Sequence, residues 1–240
     1  MQRYFALSKD GDNLILNDSD IHHIKNVMRM KADDKIEVVY DSILYICNIN
    51  NITNDNIKIS IIEQTKDNNE LPIHIAIAFP ITKEEKIDLI LQKCTELGIN
   101  EFIPLELNRC VAKINDSKKV KKMERWQNIC KEASEQSKRN IIPKVNKIMK
   151  INDIINLDYD LKLVCSVNQN VPNIKKVLQN NKKCDRIIFV IGPEGGITNE
   201  EEYYLNSNKF MAISLGQRVL RCETAPICVG SMINYEYMEW

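Results

Sequence analysis

The strongest constraint on the fold comes from a strand that runs directly into a glycine-rich turn, in the segment FVIGPEGGIT (189–198). An apolar run at residues 187–191 predicts the strand, and Gly192, Gly195 and Gly196 follow it. These are three of only seven glycines in the whole chain. Because glycine lets the backbone approach a ligand closely and adopt positive φ, their concentration indicates a binding loop. The spacing fits neither of the common phosphate- and dinucleotide-binding glycine patterns, and an ordinary α/β turn is the structural alternative.

A second segment, ISLGQRVLRCETAP (213–226), strengthens the functional interpretation. An apolar strand-like run stops at Gly216, and two arginines, Arg218 and Arg221, follow it. Glu223 comes next, immediately before a segment that reads as the start of a helix. Arginines beside an acidic residue and a helix N-terminus favour an anionic or polar ligand. An Arg221–Glu223 ion pair that only shapes the loop is the alternative.

Composition excludes several classes of protein. The eight cysteines are scattered singly without a CxxC pair, and no secretory signal precedes them, so we expect reduced thiols. His22, His23 and His74 do not cluster with cysteines, so we expect no metal site. No apolar run approaches the roughly 18 to 20 residues of a membrane span. The sequence therefore predicts a cytoplasmic protein that uses no metal and does not associate with membranes.

The zero formal net charge conceals a strongly basic block at residues 109–150. This block holds 13 Lys or Arg and 4 Asp or Glu, a local charge of +9, which leaves −9 for the rest of the chain. Such a block is the pattern expected for binding to a phosphate backbone, although a solvated helix face explains lysine runs equally well. Together with one basic turn near the N-terminus, it supplies the candidate RNA-binding residues Arg29, Arg109, Lys121, Lys122, Arg125, Gln136 and Arg139.

Two domains are predicted. Residues 1–68 contain short alternating β-branched segments between Asn/Asp turns, which predict a small β-barrel with one short helix at 19–30. A polar stretch at 65–71 reads as a linker. Residues 72–240 begin with a strand, a helix and another strand, the pattern of a parallel α/β sheet.

Further helices are predicted in this second domain. A long helix at 117–139 has Val120 among its core-facing residues, and shorter helices follow at 151–155 and 171–179. The last predicted helix, at 227–237, carries apolar and aromatic residues on several sides.

The motifs IGPEGGIT and LGQRVLRCETAP, in this order, resemble the C-terminal signature of the RsmE family within the SPOUT superfamily of methyltransferases. The segments KCTELGINEFIPL and ERWQNICKEASEQSKRNIIPKV resemble the same family. The resemblance implies an α/β fold with a SPOUT-type parallel sheet and a C-terminal trefoil knot, preceded by a PUA-like β-barrel that binds RNA. It also implies transfer of a methyl group from S-adenosyl-L-methionine (AdoMet) to N3 of a uridine in small-subunit ribosomal RNA, naked or in the assembled 30S subunit.

The same resemblance assigns roles to the residues of the two motifs. AdoMet is expected to contact Gly192, Glu194, Gly195, Gly196, Leu215, Gly216, Val219 and Leu220. Arg221 is expected to stabilise negative charge that develops on the uracil oxygens, and Glu223 is a candidate proton acceptor. Gln136 and Arg139, a turn apart, can grip a base and a phosphate, or can instead cap the helix and bind neighbouring loops.

A homodimer is also implied, because each AdoMet pocket of the family lies against the partner subunit. The C-terminal residues Met232, Ile233, Tyr235, Tyr237, Met238 and Trp240 offer an apolar surface that fits an interface. Packing of this helix on its own sheet is the alternative. Two other functions stay open: a SPOUT enzyme acting on transfer RNA or on a ribose hydroxyl, and a non-catalytic RNA-binding protein.

Overall fold

The structure, a computed structural model, describes residues 1–53, 56–168 and 170–238. The chain forms two compact units. The first contains Met1–Glu70 and Ser134–Ile141, and the second contains Leu71–Ala133 and the described residues from Ile142 onward. The segment Ser134–Ile141, which lies within the predicted 72–240 domain, therefore groups with the N-terminal residues.

The first unit is built on a six-stranded sheet. Its strands are β1 (Arg3–Phe5), β2 (Ser8–Asp10), β3 (Asn13–Ile15), β4 (Lys35–Tyr40), β5 (Ile43–Ile52) and β6 (Ile57–Gln64). Their order in the sheet is β1-β4-β5-β6-β3-β2, with β1 parallel to β4 and the other neighbours antiparallel. Alternate residues of β4, such as Ile36 and Val38, are fully buried, as expected for strands with one face on the core.

The predicted helix at 19–30 is shorter and less regular than the sequence indicated. The α-helix α1 (Asp18–His22) is capped by Asn17, whose side-chain oxygen accepts a hydrogen bond from the Asp20 backbone N–H at 2.8 Å. A π-helical turn, His23–Val27, follows. The chain then turns at Arg29, which has a φ of +53° and an exposed side chain.

The second unit contains a seven-stranded sheet. Its strands are β7 (His74–Pro80), β8 (Glu101–Glu106), β9 (Lys144–Val145), β10 (Met149–Lys150), β11 (Leu161–Cys165), β12 (Arg186–Val190) and β13 (Met211–Ile213). Six of them follow the order β10-β8-β7-β12-β11-β13, β9 pairs with β8, and every pairing is parallel. The parallel sheet predicted from the strand–helix–strand pattern is confirmed.

Helices connect these strands, as parallel pairing requires. They are α2 (Glu84–Glu96), α3 (Asp116–Gln136), α4 (Ile151–Ile154), α5 (Ile174–Asn180), α6 (Asn199–Ser207) and α7 (Thr224–Tyr237). The sheet has an apolar cluster on each face. Along β7, Ile75 and Ile77 contribute to one cluster, and Ala76 and Ala78 contribute to the other. Burial on both faces explains why β7 reads as a continuous apolar run rather than an alternating one.

Helix α3 differs from its prediction in two respects. Val120, predicted to face the core, is 69% exposed, and the helix is anchored instead by Trp126, which is fully buried. The helix ends at Gln136 rather than at residue 139, because Lys138 adopts a φ of +62° and turns the chain out of the helix.

Candidate active site

A cavity of about 540 Å³ lies beyond the carboxyl ends of three neighbouring parallel strands, β12, β11 and β13. Residues 165–167 line it at the end of β11, and residues 192–197, here called the glycine-rich loop, line it after β12. Most of residues 215–223, here called the Arg221 loop, line it after β13. The carboxyl edge of an open α/β sheet is the usual position of ligand sites. Parallel pairing of the strands is what brings the two sequence motifs together.

All eight residues predicted to bind the cofactor line this cavity: Gly192, Glu194, Gly195, Gly196, Leu215, Gly216, Val219 and Leu220. Arg221 and Arg218 line it as well. Glu223 lies at the end of the Arg221 loop and is not among the lining residues. Of the two predicted catalytic residues, the structure therefore places one at the cavity and the other beside it.

The cavity fits a nucleoside-sized cofactor such as AdoMet. Its volume lies within the range of roughly 300 to 1,000 Å³ that is common for cofactor sites. At Gly192 an added Cβ would lie 2.9 Å from the Ile197 side chain and 3.2 Å from its backbone nitrogen, so the tight loop tolerates only glycine there. Gly216 has a φ of +130° and faces open space, which leaves its backbone accessible to a ligand.

Gly195 lines the cavity, and its α-carbon also packs against Arg109. An added Cβ there would meet the Arg109 side chain at 3.1 Å rather than fill the cavity. Arg109 also donates a hydrogen bond from Nη1 to the Gly195 carbonyl oxygen at 2.7 Å. Arg109, predicted to contact RNA from the end of a strand, is exposed, and its side chain binds the backbone of the glycine-rich loop.

Glu223 forms an ion pair with Lys86 rather than with Arg221. The Lys86 Nζ lies 3.1 Å from Glu223 Oε2 and 2.8 Å from Glu194 Oε1. Burial raises the pKa of Glu223, but hydrogen bonds from its backbone, from Cys222 and from Lys86 outweigh burial and hold that pKa below its usual value. A carboxylate with a lowered pKa is a weaker base, so this environment disfavours Glu223 as the proton acceptor.

Glu194 is held in a similar way. Burial raises the pKa of its carboxyl, but hydrogen bonds from Lys86 and from the Thr82 hydroxyl (2.7 Å) outweigh burial and lower the pKa to about 2. The same two carboxylates raise the pKa of Lys86. All three groups are therefore charged at neutral pH.

Sequence reasoning missed three polar residues of the cavity: Lys86, Ser166 and Glu202. The Ser166 hydroxyl donates to the Glu202 carboxylate, with oxygen–oxygen distances of 3.0 and 3.2 Å. Ser166 follows β11 directly, so its position at a strand's carboxyl end was a usable signal. Lys86 and Glu202 lie on helices, and no sequence pattern pointed to them.

The basic residues of α3 are partly engaged with acids of α2. Lys122 forms an ion pair with Glu84, and Arg125 forms a bidentate pair with Asp88, including an Nη1–Oδ1 contact of 2.8 Å. Lys121 is exposed. Exposed ion pairs are worth only about 0 to 1 kcal/mol, so phosphate groups can compete for these side chains.

In the first unit, the predicted RNA-binding pair Gln136 and Arg139 separates. Gln136 is exposed, but Arg139 is only 3% exposed. The Arg139 guanidinium binds the Glu70 carboxylate, with an Nε–Oε2 distance of 3.1 Å and a second contact through Nη2. Arg139 is thus not available to a phosphate, and the alternative of a contact to a neighbouring segment is favoured. The positive φ at Lys138 is what turns Arg139 away from the exposed face.

Two negative findings apply to the described residues. Residues 1–53, 56–168 and 170–238 contain no group of three or more His, Cys, Asp or Glu side chains that can hold a metal ion. Over the same part of the chain, no helix is both long enough and apolar enough to cross a membrane.

The chain is similar to known RNA methyltransferases over almost its whole length. Residues 69–234 match the model of the RNA methyltransferase domain, and residues 16–62 match that of the RNA methyltransferase PUA domain. The Ribosomal RNA small subunit methyltransferase E of Bacillus subtilis is 36% identical to this chain, over 98% of the chain and 97% of the relative. The Mesomycoplasma hyopneumoniae protein of the same name is 34% identical, with 95% and 96% covered.

Two solved structures also resemble this chain over almost its whole length. A Ribosomal RNA small subunit methyltransferase E from Neisseria gonorrhoeae, bound to S-adenosyl methionine, has a TM-score of 0.90 at 26% identity, with 99% of this chain and 98% of that chain covered. A Legionella pneumophila protein in complex with the cofactor SAM has a TM-score of 0.90 at 28% identity, with 98% of each chain covered. The parallel α/β fold with a PUA-like domain is confirmed, while the trefoil knot stays a prediction. The chain therefore belongs to the RNA methyltransferase family and, within it, to the family of ribosomal RNA small subunit methyltransferase E.

Proposed function

We propose that this chain transfers a methyl group from AdoMet to N3 of a uridine in small-subunit ribosomal RNA. The observation that carries the proposal is the cavity that both sequence motifs line, with Arg221 at its edge. Its volume, its glycine-rich wall and the apolar side chains of Leu215, Val219 and Leu220 suit a cofactor with an adenosine moiety. A relative and a structural neighbour named Ribosomal RNA small subunit methyltransferase E support the methylation of small-subunit ribosomal RNA.

Methyl transfer to uridine N3 requires the protein to position the reactants and stabilise charge, and it requires no covalent intermediate with the protein. When bound, AdoMet supplies an electrophilic methyl group. The two loops hold the cofactor and the uracil in a reactive arrangement, which supplies much of the acceleration. Arg221 is exposed and unpaired with Glu223, so its guanidinium is available to donate hydrogen bonds to a uracil carbonyl oxygen. There it stabilises the negative charge that develops as N3 loses its proton.

The N3 proton is released to water in this proposal. Glu223 is an ion-paired carboxylate with a lowered pKa, and it does not line the cavity. We assign Glu223 the role of holding the Arg221 loop in place through Lys86. Arg221 is thus the principal catalytic residue.

Ribosomal RNA, naked or in the assembled subunit, is the proposed substrate. The basic block at 109–150 carries a local charge of +9, and exposed side chains on α3 present part of it to solvent. In the first unit, the exposed Arg29 and Gln136 offer further polar contacts. Lys and Arg side chains of this kind neutralise phosphates and release counterions.

We also propose that the active form is a homodimer. At the cavity, Val219 is 74% exposed and Val167 is 67% exposed, so apolar groups at its rim face solvent in the single chain. On α7, Ile233 is buried in the subunit's own core whereas Tyr235 is 78% exposed. Trp240, part of the predicted interface, lies outside the described residues. Sedimentation at micromolar concentration tests this proposal: a single species near the 27.8 kDa chain mass that still methylates RNA contradicts it.

Methyl transfer in vitro tests the proposed function directly. Purified protein and labelled AdoMet are incubated separately with small ribosomal subunits, naked small-subunit RNA and transfer RNA, and the products are identified by nucleoside mass analysis. We expect N3-methyluridine only with the ribosomal substrates. Label in transfer RNA, or in a ribose 2′-O-methyl group, would favour another enzyme of the superfamily, and absence of label would favour a non-catalytic RNA-binding protein.

A further inference from the structure

Lys86 on α2 joins the two loops that form the candidate cofactor site. Its Nζ lies 2.8 Å from Glu194 Oε1 in the glycine-rich loop and 3.1 Å from Glu223 Oε2 in the Arg221 loop. The same nitrogen is 3.8 Å from Cys222 Sγ. Lys86 also lines the cavity itself. One ammonium group therefore contacts both loops at the place where they meet.

Thr82 and partial burial stabilise the ion pairs of Lys86 with Glu194 and Glu223. Thr82, 3% exposed, precedes α2 and donates its hydroxyl to the same Glu194 oxygen at 2.7 Å. The Lys86 side chain is 26% exposed and that of Glu223 is 12% exposed, so solvent screens the contacts only in part. Charge-assisted hydrogen bonds in such a setting are the stronger class of hydrogen bond.

Removal of the ammonium would leave two carboxylates facing one another. Both lie about 3 Å from the same nitrogen, so their oxygens are no more than about 6 Å apart, a distance at which like charges repel when partly shielded from water. Because each carboxylate belongs to a different loop, this repulsion would push the loops apart and widen the cavity.

We propose that Lys86 is a positioning residue that fastens the glycine-rich loop and the Arg221 loop to α2 and so sets the shape of the cofactor cavity. This inference rests on the proposed function, because it takes AdoMet as the ligand of the cavity. Lys86 acts through Glu194 and Glu223 rather than on the reacting atoms. Its positive charge, more than its length, is what the arrangement requires.

Calorimetric titration of AdoMet into three variants of the full chain tests this role. Lys86→Met is expected to bind AdoMet about 10- to 100-fold more weakly, because two charge-assisted hydrogen bonds are removed. Lys86→Arg keeps the charge and should recover most of the affinity. Lys93→Met is the matched control, since Lys93 lies on the same helix but pairs with Glu96 at 2.9 Å and should bind as wild type does. Wild-type affinity in Lys86→Met, or equal weakness in Lys86→Arg, would overturn the proposal.

A suppressor variant separates electrostatic fastening from a general loss of structure. Adding Glu223→Gln to Lys86→Met removes the repulsion without changing a residue that lines the cavity, so the double variant should bind AdoMet at least about fivefold more tightly than Lys86→Met alone. Equal affinity in the double variant and in Lys86→Met contradicts the electrostatic explanation.

Hydrogen exchange without ligand distinguishes failure of this inference from failure of the proposed function. In Lys86→Met, amides of residues 192–197 and 215–223 should exchange faster than in wild type, while those of β7 stay protected. If wild type binds no AdoMet but this difference is present, the cofactor assignment fails and the fastening by Lys86 stands. If exchange is unchanged in both loops, the fastening by Lys86 is wrong.

Discussion

Substitution of Arg139 tests whether this residue stabilises the fold or binds RNA. Its guanidinium is buried at 3% exposure and binds the Glu70 carboxylate through Nε and Nη2. The same carboxylate accepts hydrogen bonds from the backbone N–H groups of Asn140 at 2.8 Å and Ile141 at 3.2 Å. Arg139→Met keeps much of the side-chain volume but leaves the Glu70 charge without its cation.

The expected loss of stability follows from these contacts. Breaking a buried ion pair by removing one partner costs about 3 to 5 kcal/mol, because the other charge stays buried and unpaired. Two backbone donors still serve Glu70, so we expect the lower end, about 3 kcal/mol. With a urea m-value of about 3 kcal/mol/M, the upper end of the usual range and suited to a chain of this length, the unfolding midpoint of the chain should fall by about 1 M. Arg139→Met combined with Glu70→Met removes both charges and should recover much of this loss.

Urea unfolding followed by circular dichroism, together with amide exchange at Asn140 and Ile141, measures the effect. Lys121→Met is the matched control, because Lys121 is an exposed cation on α3 and its removal should change stability by no more than about 0.5 kcal/mol. If Arg139→Met is as stable as Lys121→Met while its RNA affinity and salt dependence fall, Arg139 does not stabilise the fold. That result would restore Arg139 as a residue that binds phosphate.

Three further predictions address pH, cofactor and RNA. Burial raises the pKa of Glu101, but hydrogen bonds from three side chains outweigh burial and lower that pKa from 4.5 to about 2. The ionised Glu101 therefore contributes at most about 3 kcal/mol to the free energy of unfolding above pH 4.5, and this contribution disappears as the pH falls toward 2. In an acid titration, the free energy of unfolding of Glu101→Gln should decrease less steeply with falling pH than that of wild type. Equal slopes for the two proteins would contradict this. Val219→Asp places a charge at the exposed apolar rim of the cavity and should weaken AdoMet binding at least about tenfold. The matched control is Val111→Asp, because Val111 is exposed but is not among the residues that line the cavity. Calorimetric titration should show weaker AdoMet binding in Val219→Asp only, and equal affinities in the two variants would contradict the prediction. A double variant, Lys118→Glu with Lys121→Glu, should bind RNA more weakly than wild type. The slope of log affinity against log salt should fall in magnitude by about 0.7 to 0.9 for each phosphate that these lysines neutralise. An unchanged slope would mean that this face of α3 is only solvated.

Much of the α/β architecture was predictable because local pattern determines it. The apolar run at residues 73–79 predicts β7, and the amphipathic spacing at residues 83–98 predicts α2. Both predictions agree with the observed ends to within about two residues, the usual uncertainty of helix and strand ends. Both sequence motifs were correctly placed at strand ends, and parallel pairing then brought them to one cavity. Helix α6 was missed, although Thr198 and Glu201 form a capping box at its start.

The interactions between distant segments were not predictable in the same way. Periodicity put Val120 in the core, but the packing of α3 depends on Trp126. The separation of Arg139 from Gln136 follows from a single left-handed residue, Lys138, which no helix propensity signals. The ion pairs of Lys86 reach residues more than 100 positions away in the chain, so only the folded structure reveals them.

Analysis of ribosomal RNA from a strain that lacks this protein shows whether the chain methylates a uridine of the small subunit in the cell. Small-subunit RNA is digested to nucleosides and compared by mass between the parent, the deletion strain, and the deletion strain carrying either the wild-type chain or Arg221→Ala. We expect one N3-methyluridine to disappear on deletion, to return with the wild-type chain, and not to return with Arg221→Ala although that variant still binds AdoMet. Retention of every methylated uridine in the deletion strain, or full restoration by Arg221→Ala, would contradict this expectation.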